Sequence, residues 1–160
     1  MRFMYNMGGI MSERAEWDFY FVDLAVLVSS RSTCLRRQHG AVIVKDKQVL
    51  STGYNGVPSK IGHCETCFRI DNNIPSGTMY ETCRSIHAEM NAIVQAAKHG
   101  IRIDGADIYV TGIPCIMCAR AIINAGIKNV ITLIDVEYTR SYGEASLELL
   151  KEAGVRWRGI

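Results

Sequence analysis

The chain has 160 residues, of which 48% are hydrophobic and 21% charged, the balance of a folded globular chain of about one domain rather than a disordered one. No stretch reaches the roughly 18 unbroken apolar residues that a membrane-spanning helix needs, so no membrane partner is expected. The 18 basic and 16 acidic side chains leave a formal charge of +2; their scatter along the chain excludes the basic stripe of a protein built for long nucleic acid and favours a small ligand.

Residues 1–11 are expected to form a flexible arm ahead of a single domain over 12–160, with Met11 as an alternative start. Residues 1–10 carry Arg2 but neither an unbroken apolar core nor a small-residue cleavage site, so no signal peptide is expected and a cytoplasmic setting follows. Thiols stay reduced there, and the six cysteines read as metal ligands or core residues rather than as a disulfide framework. From Ser12 onward the pattern is helical, with Trp17, Phe21, Leu24 and Val28 recurring every three or four residues as one core-facing stripe. Residues 41–44 and 48–54 flank the polar Asp46 and Lys47 and predict a β-hairpin, closed by Asn55, Gly56 and Pro58. Residues 58–84 combine glycines, prolines and three cysteines without sustained periodicity, and read as a Cys-rich insertion; a loop this long in a compact domain normally carries a function or a staple.

Beyond the insertion, residues 86–99 predict a helix with Met90, Ile93 or Val94, and Ala97 toward the core, stopped by Gly100. A strand over 107–111, a helix over 115–124 ended by Gly126, a strand over 129–134, a helix over 145–153 and a strand over 155–157 follow. Such alternation implies parallel strands with helices packed on them, and the leading hairpin makes the sheet mixed.

Two segments carry chemistry. His87-Ala88-Glu89 opens one predicted helix and Pro114-Cys115-Ile116-Met117-Cys118 opens another. One imidazole and two thiols match the three protein ligands of a catalytic zinc, whose fourth position stays open. Cys115 and Cys118 are three apart and share a helical face, and a helix N-terminus favours their thiolates. Glu89 is two residues from His87, off its face, so it reads as the proton carrier beside the reacting water rather than as a ligand. Taken singly, a C-x-x-C or a histidine at a helix start is weak; H-x-E paired with P-C-x-x-C is the general signature of the zinc deaminases that act on bases.

Over nearly its whole length after Met11 the chain resembles the deoxycytidylate deaminase family. The resemblance is carried by Gly53-Tyr54-Asn55-Gly56, by His87-Ala88-Glu89-Met90-Asn91-Ala92-Ile93, and by Tyr109-Val110-Thr111 leading into the proline-cysteine segment. It implies the cytidine deaminase-like three-layer α/β/α sandwich with a mixed five-stranded sheet. It implies hydrolysis of dCMP to dUMP and ammonia, supplying dUMP for thymidylate synthesis. A homo-oligomer, with a hexamer among its forms, and dCTP and dTTP as allosteric effectors are further implications. By the same resemblance Asn55 hydrogen-bonds the sugar and Arg36 meets the 5′-phosphate. The residues alone leave both open, because Asn beside Gly is also the ordinary occupant of a tight turn and Arg37 offers the same fork as Arg36. His39 departs from the family, whose members tend to carry an apolar residue there; it reads as a partly buried or pocket-lining histidine.

Cys34, Cys64, Cys67 and Cys83 remain. Cys64-Glu65-Thr66-Cys67 has the spacing of a zinc clip, which Cys34 and Cys83 complete as a closed structural site, with His63 as a substitute ligand. The competing reading is small core residues and idle thiols. Alternatives for the whole chain are a tRNA adenosine deaminase, against which the near-neutral charge argues; a free-nucleoside cytidine deaminase, which by resemblance tends to carry cysteine in place of His87; and a zinc-stabilised binding module, which would not need Glu89 beside a three-ligand site.

Overall fold

The computed structural model describes residues 14–133 and 143–160. The expected arm over 1–11 and the end of the expected strand at residue 134 lie outside them. The described elements are α1 (Trp17–Ser29), β1 (Gly40–Lys45), β2 (Gln48–Tyr54), the short α2 (Phe68–Asp71), a 3-10 turn (Tyr80–Thr82), α3 (Ala88–Lys98), β3 (Asp107–Val110), α4 (Ile116–Asn124), β4 (Asn129–Thr132), α5 (Glu144–Glu152) and β5 (Arg156–Gly159). The five strands form one sheet in the order β2-β1-β3-β4-β5. The β1-β2 hairpin and the β1-β3 pair are antiparallel, whereas β3-β4 and β4-β5 are parallel. The expected mixed sheet with a parallel second half is therefore what forms.

Strand side chains alternate between faces. Val42, Val44, Tyr109 and Ile131 pack with Phe21, Val22 and Ala25 of α1 on one side. Ala41, Ile43, Ile108, Val110 and Val130 pack with alanines of α3, Ala119 and Ile122 of α4, and Leu150 of α5 on the other. The result is a three-layer α/β/α sandwich.

In α1 the expected stripe largely turns inward: Phe21 is buried, Leu24 and Val28 pack against the core, Val22 and Ala25 are buried beside them, and only Trp17 departs, 48% exposed. In α3 the buried residues are Ala88, Glu89, Ala92 and Ala96, while Val94 is 51% exposed, so this helix turns a different face inward from the one its large apolar residues suggest. Close approach seats both helices. A Cβ on Gly40 would lie 2.0 Å from the Ala25 carbonyl oxygen, and one on Gly53 would lie 2.3 Å from both the Ala88 carbonyl oxygen and the Ala92 nitrogen. At these two crossings only glycine below and alanine above fit.

Gly53 thereby sets the height of α3, which begins beside the candidate site. Gly53→Ala is expected to lift that helix and cost about 1–3 kcal/mol, the usual range for overpacking a filled core. Gly62→Ala, with open space around the added carbon, serves as the control. Urea unfolding of the two variants checks this, and equal midpoints would remove the close-packing explanation.

Candidate active site

The pocket lies where β2 and β3 end and β1 begins, at the carboxyl edge of the parallel strands where open α/β sheets receive ligands. Backbone pairing aligns its parts. Gly56 and Ile86 exchange N–H···O bonds of 3.1 and 2.9 Å, and Asn91 Nδ2 donates to the Tyr54 carbonyl at 2.7 Å. The start of α3 is thus tied to the end of β2.

His87 is the N-cap of α3 and Cys115 the N-cap of α4, both with extended backbone. Two helix starts therefore converge, with Cys118 following in the first turn of α4. The Sγ atoms of Cys115 and Cys118 lie 3.4 and 3.5 Å from His87 Nδ1. A tetrahedral ion with bonds of roughly 2.3 Å to sulfur and 2.0–2.1 Å to nitrogen holds such donors about 3.5 Å apart. The donor set thus fits zinc in chemistry and in spacing. Among the described residues no other three His, Cys, Asp or Glu donors come within 4.8 Å of one another.

Electrostatics agree with the donor roles. The hydrogen bond from Cys118, assisted by His87, pushes the Cys115 thiol down to about 4. The same shared proton raises Cys118, with burial adding to it, so without an ion the pair holds one thiolate. His87 is raised, chiefly by its contact with Cys115 and against burial. Glu89 is 5% exposed; burial raises its carboxyl, and the charge of His87 opposes that rise. A carboxyl held above its ordinary range beside a donor triad is suited to taking up and returning protons.

Asn55 lines the pocket but is heavily engaged. Its Oδ1 accepts from Ser32 Oγ at 2.6 Å and from the His39 N–H at 2.8 Å, and its Nδ2 donates to the Arg37 carbonyl at 2.8 Å. The backbone partners fix which way the amide points, leaving one N–H for a ligand. Arg36 and Arg37 both line the pocket, but Arg36 is half-buried and Arg37 exposed. Arg36 Nη2 donates to the Ile74 carbonyl at 2.7 Å, and its buried Nη1 has no partner. His39 is half-buried on the pocket wall, its ring beside Thr111 Oγ1. Burial lowers its basicity, and His87 and Arg37 lower it further.

The other four cysteines separate. Cys64, Cys67 and Cys83 line a second cavity together with His63, whereas Cys34 lines the first pocket, a wall of which Cys83 also forms. Among the pocket residues that the insertion supplies with no motif to mark them are Arg69 and Tyr80. An arginine set between the apolar Phe68 and Ile70 is the only trace in the sequence. Arg69 is 8% exposed, and among the described residues no other Lys or Arg is buried.

Residues 15–134 match the family described as the cytidine and deoxycytidylate deaminase zinc-binding region. The chain is 45% identical over 145 residues to ComE operon protein 2 of Bacillus subtilis, covering 89% of this chain and 70% of that one. It is 36% identical over 149 residues to the deoxycytidylate deaminase of Saccharomyces cerevisiae, covering 91% of this chain but only 45% of the yeast enzyme. The crystal structure of a dCMP deaminase from the cyanophage S-TIM5, in complex with dCMP and dUMP, superposes with a TM-score of 0.75 at 29% identity, over 93% of this chain and 100% of that one.

Proposed function

This chain belongs to the cytidine and deoxycytidylate deaminase family, and on that premise we propose that it hydrolyses dCMP to dUMP and ammonia. The observation that carries the reading is one pocket lined by His87 and Cys115 of the three-donor set, by the buried Glu89, and by arginines. Relatives bearing the name deoxycytidylate deaminase and the phage enzyme holding dCMP and dUMP support it.

His87, Cys115 and Cys118 are the zinc ligands in this reading. Bound there, zinc supplies the Lewis acidity that makes water a nucleophile near neutral pH. Glu89 takes the proton of the attacking water and delivers it to ring nitrogen N3 as the oxygen adds to C4. It then passes the second proton to the amine, so that the C4–N bond breaks, ammonia leaves and the C4 carbonyl remains. Asn55 gives its free N–H to the sugar, and Arg36 meets the 5′-phosphate through Nη1.

A second zinc is part of the reading. Cys64, Cys67 and Cys83 line one cavity with His63 but do not converge as placed. An ion would have to draw them together, with Cys34 or His63 as the fourth donor, and would thereby staple the 58–84 segment. So are a single domain over 12–160 after an arm, a cytoplasmic setting, a homo-oligomer and sensitivity to dCTP and dTTP. Among the described residues no helix is long and apolar enough to cross a membrane.

Ammonia release from dCMP, CMP, deoxycytidine and an adenosine-containing tRNA arm tests the substrate. dCMP should far outrun the others, and Arg36→Ala should weaken dCMP more than deoxycytidine. A lost charge-assisted contact costs about 1.5–3 kcal/mol in the specificity constant. Equal rates on dCMP and deoxycytidine would rule out a nucleotide substrate, and turnover of the RNA arm alone would move the enzyme to the adenosine class.

A further inference from the structure

Three buried side-chain nitrogen or oxygen atoms among the described residues have no hydrogen-bond partner: Arg36 Nη1, Arg69 Nε and Ser146 Oγ. The first two belong to guanidinium groups on one pocket. A buried donor on a cation is costly to leave unmet, and native structures keep few of them. Two positive ones in a single cleft point to one anionic acceptor.

Both arginines grip the same turn. Arg69 Nη2 donates to the carbonyls of Pro75 at 3.2 Å and Thr78 at 2.7 Å. Arg36 Nη2 donates to the Ile74 carbonyl and to Ser76 Oγ at 3.4 Å. Each guanidinium spends one end on neutral anchors and keeps its charge, since neither forms an ion pair among the described residues. A purely structural arginine in this position would be expected to have a carboxylate partner.

Tyr80 sets the placement of Arg69. The Arg69 guanidinium lies 5.4 Å from the centroid of the Tyr80 ring, and that ring meets His87 edge-on at 5.2 Å and 77°. Cation–π contact favours the face position, and the ring thereby spaces the guanidinium from the donor triad. Met79, immediately before Tyr80, is left-handed at φ 49°, ψ 47°, a conformation that costs energy for a non-glycine residue and clusters at functional sites.

We propose that Arg69 is a specificity-determining residue that binds the 5′-phosphate jointly with Arg36, and that Tyr80 is the positioning residue that fixes Arg69 relative to His87. This rests on the nucleotide-deaminase reading above and adds to it a second phosphate contact, supplied by the insertion. A dianionic phosphate has oxygens enough for both free donors, and planar guanidinium suits it better than a lysine ammonium.

The test uses the full-length, zinc-replete enzyme with dCMP and deoxycytidine. In Arg69→Gln the ratio of the two specificity constants should fall about ten- to hundredfold, through KM more than kcat. Arg69→Lys should recover part of that ratio. Tyr80→Leu should lower it in the wild-type background and add little in the Arg69→Gln background, while Tyr80→Phe, which keeps the ring, should restore it. Inorganic phosphate should raise the Tm of the wild-type protein, and Arg69→Gln or Arg69→Lys should diminish that rise. If the Arg69 variants slow both substrates equally and keep the phosphate-dependent rise in Tm, Arg69 only staples the turn and the inference is overturned. If the wild-type enzyme itself shows no preference for dCMP, the nucleotide reading has failed first.

Discussion

Glu89→Gln is expected to leave the protein folded and its zinc in place while lowering kcat by about four orders of magnitude, the upper end of what a single acid–base group contributes. The substitution is nearly isosteric, so the packing of Glu89 with Ala88 and Ala92 on the buried face of α3 should survive it. What disappears is the group that both removes and returns protons. The amide cannot accept from water and then donate to N3 and the amine, so two transfers fail together, which places the effect at the top of the range. KM for dCMP should change little, because Asn55 and Arg36 are untouched. The informative measurement pairs turnover with metal content. A variant that has lost its zinc would put Glu89 among the ligands rather than beside them, and one that keeps most of its turnover would assign the proton transfers to another group.

Cys118→Ser is expected to remove the ion held with His87 and Cys115 and to abolish measurable turnover. Its hydroxyl is a poor substitute for a thiolate at a site whose donors are already spaced for zinc, and Cys115 loses the hydrogen bond that holds it low. Cys64→Ser should behave differently. It should release one zinc of two, lower thermal stability, and expose the 58–84 segment to protease, since binding energy at a structural ion is folding energy and an unstapled loop is where nicking starts. Metal analysis with limited proteolysis separates the two effects. A metal-replete wild-type chain carrying one zinc would return Cys64, Cys67 and Cys83 to the status of ordinary thiols.

The site's chemistry was legible in the sequence because metal ligation and proton transfer demand particular side chains at fixed local spacing. His87, Glu89, Cys115 and Cys118 could be named before any fold was known, and the fold brings all four together. The mixed sheet was equally legible, since strand alternation and turn residues are local signals. The inward face of α3 was not. Periodicity weighs large apolar residues, whereas this helix is seated by alanines above Gly53, a matter of distance between elements. Arg69 was hidden for a related reason. An arginine in an aperiodic loop looks like any solvated one until residues 74–78 fold beneath it and supply carbonyls. α2 spans only Phe68–Asp71, too few residues to show a period.

The paired backbone bonds between Gly56 and Ile86 act as a gatepost. The chain leaves the sandwich there and re-enters at the same point, so everything between is an excursion whose two ends are already closed. Lengthening such an excursion costs little free energy, growing only with the logarithm of its length, and its sequence can drift without disturbing the sheet. Groups that exchange protons sit on the sandwich side of the gatepost, while the turn that anchors both guanidiniums sits on the other. Descent with modification can therefore rewrite which ligand is admitted while the bond-breaking apparatus is inherited unchanged.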